Sequence, residues 1–130
     1  MAAPEARGDR AASAPAAYPT VAEHFQDRAP EVKGTYAEIL KAAKKLGPVH
    51  EEPRKTSIHL VRKTAFAGVA TRKTALILTL KSASGRKSTR IQKQEQVSAH
   101  RWHLEIRLET PDQVDRELAG WMKDAYDLAG

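Results

Sequence analysis

Two helical stripes enclose a middle section whose apolar residues recur at every second position, and that succession of periods constrains the fold most. Near the front, Val32, Tyr36, Ile39, Leu40, Ala43 and Leu46 fall at offsets 0, 4, 7, 8, 11 and 14. At about 100° per residue these positions share one side of a helix. Near the end, Val114, Leu118, Trp121, Met122, Ala125 and Leu128 repeat the same offsets. Between them, Ile58 and Leu60 alternate with Ser57 and His59, and Leu76, Leu78 and Leu80 with Ala75, Ile77 and Thr79. Trp102, Leu104, Ile106 and Leu108 alternate with Arg101, His103, Glu105 and Arg107. Period two places alternate side chains on opposite faces of a strand, so each run has one face to bury.

Local signals mark the ends of these elements. Thr20 and Glu23 have capping-box spacing and predict a short helix through Val21, His24 and Phe25. Pro30 suits the first helical turn, where no amide hydrogen is required, and Gly47-Pro48 ends that helix. Thr110, Pro111 and Gln113 repeat the capping logic before the last helix. The Val69–Thr74 stretch, with Arg72-Lys73 inside it, reads as a hairpin connection. Residues 82–99 read as a long polar loop with one helical turn. The order implies an α+β fold: a mainly antiparallel sheet of about four to five strands, packed by two N-terminal helices and one C-terminal helix. Residues 20–130 form this single domain, and the Ala/Pro-rich stretch 1–19 is expected to be a disordered tail.

The chain has no cysteine, which excludes disulfides, thiol nucleophiles and cysteine-based zinc sites. No apolar run approaches the ~20 residues of a membrane span, and no secretory leader is visible, so a cytoplasmic protein is expected. Charge is distributed unevenly. The net charge of +6 comes from 22 Lys and Arg against 16 Asp and Glu. From Arg54 to Lys93 there are 11 cations and no carboxylate; the remainder holds 11 cations and all 16 carboxylates, a split of +11 and −5.

The motifs also suggest a family. The stretch KTSIHLVRKTAFAGV carries a lysine-led strand followed by an aromatic–Ala–x–Val segment. The ending RWHLEIRLETPDQVDRELAGWMKDAY carries a tryptophan strand leading into a helix that ends in Ala-Tyr. Over residues 20–128 the chain resembles a bacterial domain-of-unknown-function family, number 5655. The resemblance implies a self-contained bacterial domain. Some members are attached to nuclease-like domains, which is an association with nucleic acid and no more. It supplies no catalytic residues.

Three functional readings follow. The favoured one is a binding module for an anionic partner, nucleic acid first, through Arg54, Lys55, Arg62, Lys63, Arg72, Lys73, Arg86, Lys87, Arg90 and Lys93. If strand ends bring the doublets together, one basic rim would attract phosphates by releasing their condensed counterions. Phe66 is the only aromatic residue of the segment, and no helix-turn-helix or RNP signature accompanies it. The second reading is a ligand-binding or catalytic pocket on a polar sheet face bearing His59, His103, Glu105 and Arg107. It requires the two histidine strands to pair and a carboxylate within reach of an imidazole. The third is a protein-interaction adaptor, which requires an exposed apolar patch.

Other constellations are weaker. His100, His103 and Glu105 are metal-ligand types without convergent spacing, and His50-Glu51-Glu52 point apart in an extended chain, so no metal or cofactor is expected. Gly85-Arg86-Lys87-Ser88-Thr89 lacks the first glycine of a phosphate loop. Trp102 and Trp121 read as core aromatics between sheet and helix. An enzyme is not the leading expectation.

Overall fold

A computed structural model describes residues 18–130, so the expectation for the 1–19 tail lies almost wholly outside the described residues. α1 (Val21–His24) opens as the spacing predicts: the Thr20 hydroxyl accepts from the Glu23 amide at 3.1 Å, and the Glu23 carboxylate accepts from the Thr20 amide at 2.8 Å. α2 (Pro30–Lys44) begins at Pro30 and buries Val32, Thr35, Tyr36, Ile39 and Ala43. Beyond it Gly47 has φ +149°, a region closed to most side chains, and a Cβ there would run into the Tyr126 hydroxyl.

Six strands follow: β1 (His50–Pro53), β2 (Ile58–Val61), β3 (Ala65–Thr71), β4 (Leu76–Ser82), β5 (Ile91–Ser98) and β6 (Arg101–Leu108). They form one sheet in the order β1-β2-β3-β4-β6-β5, with every neighbour antiparallel. The sheet is therefore larger than the expected four to five strands. β3 replaces most of the hairpin connection expected at Val69–Thr74, leaving only Arg72–Thr74 as turn. β5 occupies the second half of the expected long loop, and β1 had no sequence signal.

The register aligns the apolar positions into rows. Ile58, Val69, Leu78, Ile106 and Ile91 lie side by side across five strands, and Leu60, Ala67, Leu80 and Leu104 form the next row. These rows pack beneath α2 and α3 (Arg116–Leu128), and most of their side chains are fully buried. Each large aliphatic side chain so buried contributes ~1.5–3 kcal/mol. α3 starts later than the sequence predicts. The Thr110–Gln113 capping box closes a single 3-10 turn (Pro111–Gln113), and Val114 at ψ 79° breaks the helical path. Asp115 then caps α3 by accepting from the Leu118 amide at 3.0 Å. All described helices that cover the sheet lie on one face, which leaves the other face open to solvent, as antiparallel sheets tolerate.

Candidate anion-binding site

The open face follows from the same alternation that builds the core. On β4, Leu76, Leu78 and Leu80 turn inward, so Ile77, Thr79 and Lys81 turn outward. On β3 a bulge matters: Leu60 pairs with Ala67 and Val61 with Ala65, leaving Phe66 as the extra residue. Phe66 and Ala67 are both buried in the core, and the Phe66 ring meets Tyr126 edge-on at 5.2 Å. The outward positions of β3 then fall to Ala65, Gly68 and Ala70. Three small residues in the middle of a sheet leave a trough between taller neighbours.

That trough has a volume of about 380 Å³. Ala65, Gly68 and Ala70 form its floor, Ser57 and His59 one wall, and Thr79, Lys81 and His103 the other. Lys81 and His103 are cross-strand partners, and the Lys81 ammonium also donates to the Thr64 hydroxyl at 3.3 Å. His59 stands opposite Glu52 on one side and Gly68 on the other. Burial lowers the His59 pKa below its ordinary 6.5, Arg54 adds to the effect, and Glu52 opposes it. The imidazole is therefore neutral at neutral pH and can both donate and accept.

The histidine strands do not pair as the pocket reading requires. β3 and β4 stand between β2 and β6, so the backbones of His59 and His103 are three strand spacings apart, about 14 Å across the sheet, and two residues apart in register as well. Both residues still line the trough, from opposite walls. Glu105 and Arg107 share the open face but lie outside the lining. Glu105 sits between Thr79 and Lys93 and accepts from Gln92 at 3.4 Å, while the Arg107 guanidinium donates to Glu109 at 3.3 Å. Among the described residues no carboxylate is hydrogen-bonded to His59 or His103, so neither imidazole is oriented as a general base would be. Lys81, Ser57 and Thr79 were not singled out from sequence. The parity of TALILTLK placed Thr79 and Lys81 on the polar side, and that signal was available.

The cation doublets do not form one rim. Successive turns of an antiparallel meander lie at alternate ends of the sheet. Arg54-Lys55 and Arg72-Lys73 therefore share one end, and Arg62-Lys63 lies at the other. Arg54 pairs with Glu52 at 3.0 Å. Arg62 donates to the Tyr126 carbonyl at 3.1 Å and lies 4.4 Å from that ring's centre, a favourable place for a cation at the C-terminal end of α3. Lys63, Lys55, Lys73 and Lys87 are exposed, and Lys93 stands on the open face opposite Glu105.

Arg72 donates to the Thr71 carbonyl at 3.2 Å, whereas Arg86 and Arg90 are engaged by carboxylates. Arg86 pairs with Asp124, and Arg90 contacts Asp115 at 2.8 Å, Glu117 at 3.1 Å and the Gln113 carbonyl at 2.6 Å. Both guanidinium groups also lie within 6 Å of the Trp121 ring, at 5.7 and 5.9 Å. The Arg90 hydrogen bond holds the Asp115 carboxyl below its usual range, helped by the Leu118 amide. The 83–90 connection is thereby clasped to α3, and its arginines face carboxylates instead of an external anion.

Among the described residues no three His, Cys, Asp or Glu side chains gather as a metal-binding group. The only exposed large hydrophobic residue among them is Val97. No helix among them is long and apolar enough to cross a membrane.

Fold and trough together define a class: a two-layer α+β domain with helices on one face of an antiparallel sheet and, on the other, a trough lined by His59, Lys81 and His103. Within that class the chain belongs to the family of the domain of unknown function DUF5655, which matches residues 21–129, nearly all of the described part. No curated protein and no solved structure matches the chain.

Proposed function

We propose that this domain is a binding module for an anionic ligand, held in the trough of the open sheet face. One observation carries the reading: the titratable side chains lining the trough are His59, Lys81 and His103, all able to carry positive charge, and no carboxylate lines it. The Ser57 and Thr79 hydroxyls add neutral donors. A volume of about 380 Å³ lies at the lower end of the range for small-molecule sites, suited to a compact phosphorylated or carboxylated molecule. Each hydrogen bond to a charged group contributes ~1.5–3 kcal/mol, so three such contacts are of the same order as the ~4–15 kcal/mol cost of association and predict weak to modest affinity.

Nucleic acid is the second reading. The doublets Arg54-Lys55 and Arg72-Lys73 lie at the end of the sheet where Ser57 and Ala70 close the trough. A chain with one phosphate in the trough would continue over those cations. Exposed aromatic residues for base stacking are missing from the lining, which favours the small anion.

Amide-resolved NMR titration separates the two. Inorganic phosphate and a nucleoside monophosphate should shift Gly68, Thr79 and His103, and Lys81→Glu should abolish those shifts while the protein stays folded. A short oligonucleotide that binds with a steep salt dependence, and loses affinity on Arg72→Glu with Lys73→Glu, would favour the polymer. Absence of trough shifts with every anion would overturn both.

A further inference from the structure

The two edges of the sheet are built differently. β1 has four residues and ends in Pro53, which has no amide to offer a new strand. β5 has eight residues and no proline, and every residue from Gln92 to Ser98 is exposed. Bulges interrupt its ladder with β6 between Ile91 and Lys93 and between Gln96 and Ser98, leaving Lys93–Gln96 as regular strand between them. Bulges and charges usually protect an edge from pairing. Here the charges are arranged differently.

The strand reads Ile-Gln-Lys-Gln-Glu-Gln-Val from Ile91 to Val97, and it is chemically symmetric about Gln94. Placing a second copy antiparallel, with a two-fold axis at Gln94, sets Lys93 opposite Glu95 of the second copy and Glu95 opposite its Lys93. Gln92 and Gln96 then meet at the ends of this stretch, while Ile91 stays packed against the core and Val97, the one exposed large hydrophobic among the described residues, is the extra residue of the second bulge. Lys93 and Glu95 face Glu105 and His103 across the ladder with β6, so both lie on the open face and the intermolecular pairs form there. Neighbouring symmetric registers fail. Centring on Lys93 stacks lysine on lysine, and centring on Glu95 stacks glutamate on glutamate, both destabilising when directly opposite. The sequence thus selects one register for self-association.

We infer that β5 is a self-recognition edge, through which two copies of this chain join their sheets antiparallel about Gln94. The resulting sheet has twelve strands, with both helical layers on one side and both open faces on the other. An edge contact of this length buries little area, so the dimer is weak and concentration-dependent. The inference stands independently of what the trough binds.

Sedimentation velocity over a wide range of protein concentration tests it, alongside amide exchange resolved by residue. The unaltered chain should pass from monomer to dimer, and amide exchange in Gln92–Gln96 should slow as it does so while exchange in β1 does not change. Lys93→Glu alone, or Glu95→Lys alone, should weaken dimerisation by about tenfold or more, because each creates two like-charge pairs. The double variant Lys93→Glu with Glu95→Lys should restore it to within a few-fold of the original. Thermal melts of each variant account for the altered contacts to Glu105 and His103. A chain that stays monomeric at all concentrations overturns the inference. So does a dimer indifferent to both single reversals, or one that the double reversal fails to restore.

Discussion

The two faces of β4 differ by a single residue step and have opposite duties. Leu76, Leu78 and Leu80 are fully buried beneath α3, whereas Thr79 and Lys81, one position along, wall the trough. β3 sharpens the contrast, since its inward residues fill space and its outward ones, Ala65, Gly68 and Ala70, leave it empty. Packing is therefore concentrated on one face, although Ile77 on the other is also buried, and the positions around the trough are the ones left to carry chemistry.

Substitutions on the two faces should separate cleanly. Leu78→Ala, between Val69 and Ile106, should cost ~2–5 kcal/mol in denaturant unfolding, while Thr79→Ala should stay within ~0.5 kcal/mol. Similar losses at both positions would mean that the open face is covered. Arg90→Ala comes next, at about 1–3 kcal/mol, because it leaves the Gln113 carbonyl and Glu117 without their partner and Asp115 with only the Leu118 amide. Gly68→Ala tests the trough floor. Its φ is not positive, and the nearest atom to an added Cβ is His59 Cδ2 at 3.9 Å, so the change should stabilise by ~0.4–1 kcal/mol. Gly68→Leu should remain folded and lose anion binding, readable in the same NMR titration.

The smallest effect is the pH response of His59. Its folded pKa lies below the unfolded value of 6.5, so below that pH the unfolded state takes up a proton that the folded state resists. Stability should fall slightly on acidification from neutral pH, and His59→Gln should flatten that slope. Anion affinity should move the other way, rising as His59 becomes charged. Calorimetry at two pH values, with proton uptake measured on binding, distinguishes these opposite signs.

Legibility in the sequence followed contact with the core. α2, α3, β2, β4 and β6 present large apolar residues at regular spacing, and each was readable. β1 offers His-Glu-Glu-Pro and β5 only Ile91 and Val97 as apolar residues, because edge strands bury little and so leave little pattern. β3 was hidden for another reason: small residues face solvent, so its apolar and polar positions do not alternate. His59 and His103 were placed on the correct face, but their neighbours depended on strand order, which period two does not encode. Whether the cation doublets share one rim was likewise not encoded, because hairpin turns alternate ends, a geometric fact independent of charge.

The Arg86–Arg90 clasp also affects the order of events in folding. β6 lies between β4 and β5, so β5 has no surface to join until the last strand of the chain is in place. The clasp itself needs α3, the final helix. Residues 83–98 are therefore expected to dock last and to open first, as a unit below the stability of the whole. Protonating Asp115, whose carboxyl Arg90 holds below its usual range, or screening the clasp with salt, should favour that opening. The chain's two tryptophans flank this unit: Trp121 lies against Arg86 and Arg90, and Trp102 beside Gly85. Intrinsic fluorescence should accordingly change before far-UV circular dichroism as the pH is lowered, reporting the release of one segment while the helices and the central strands persist.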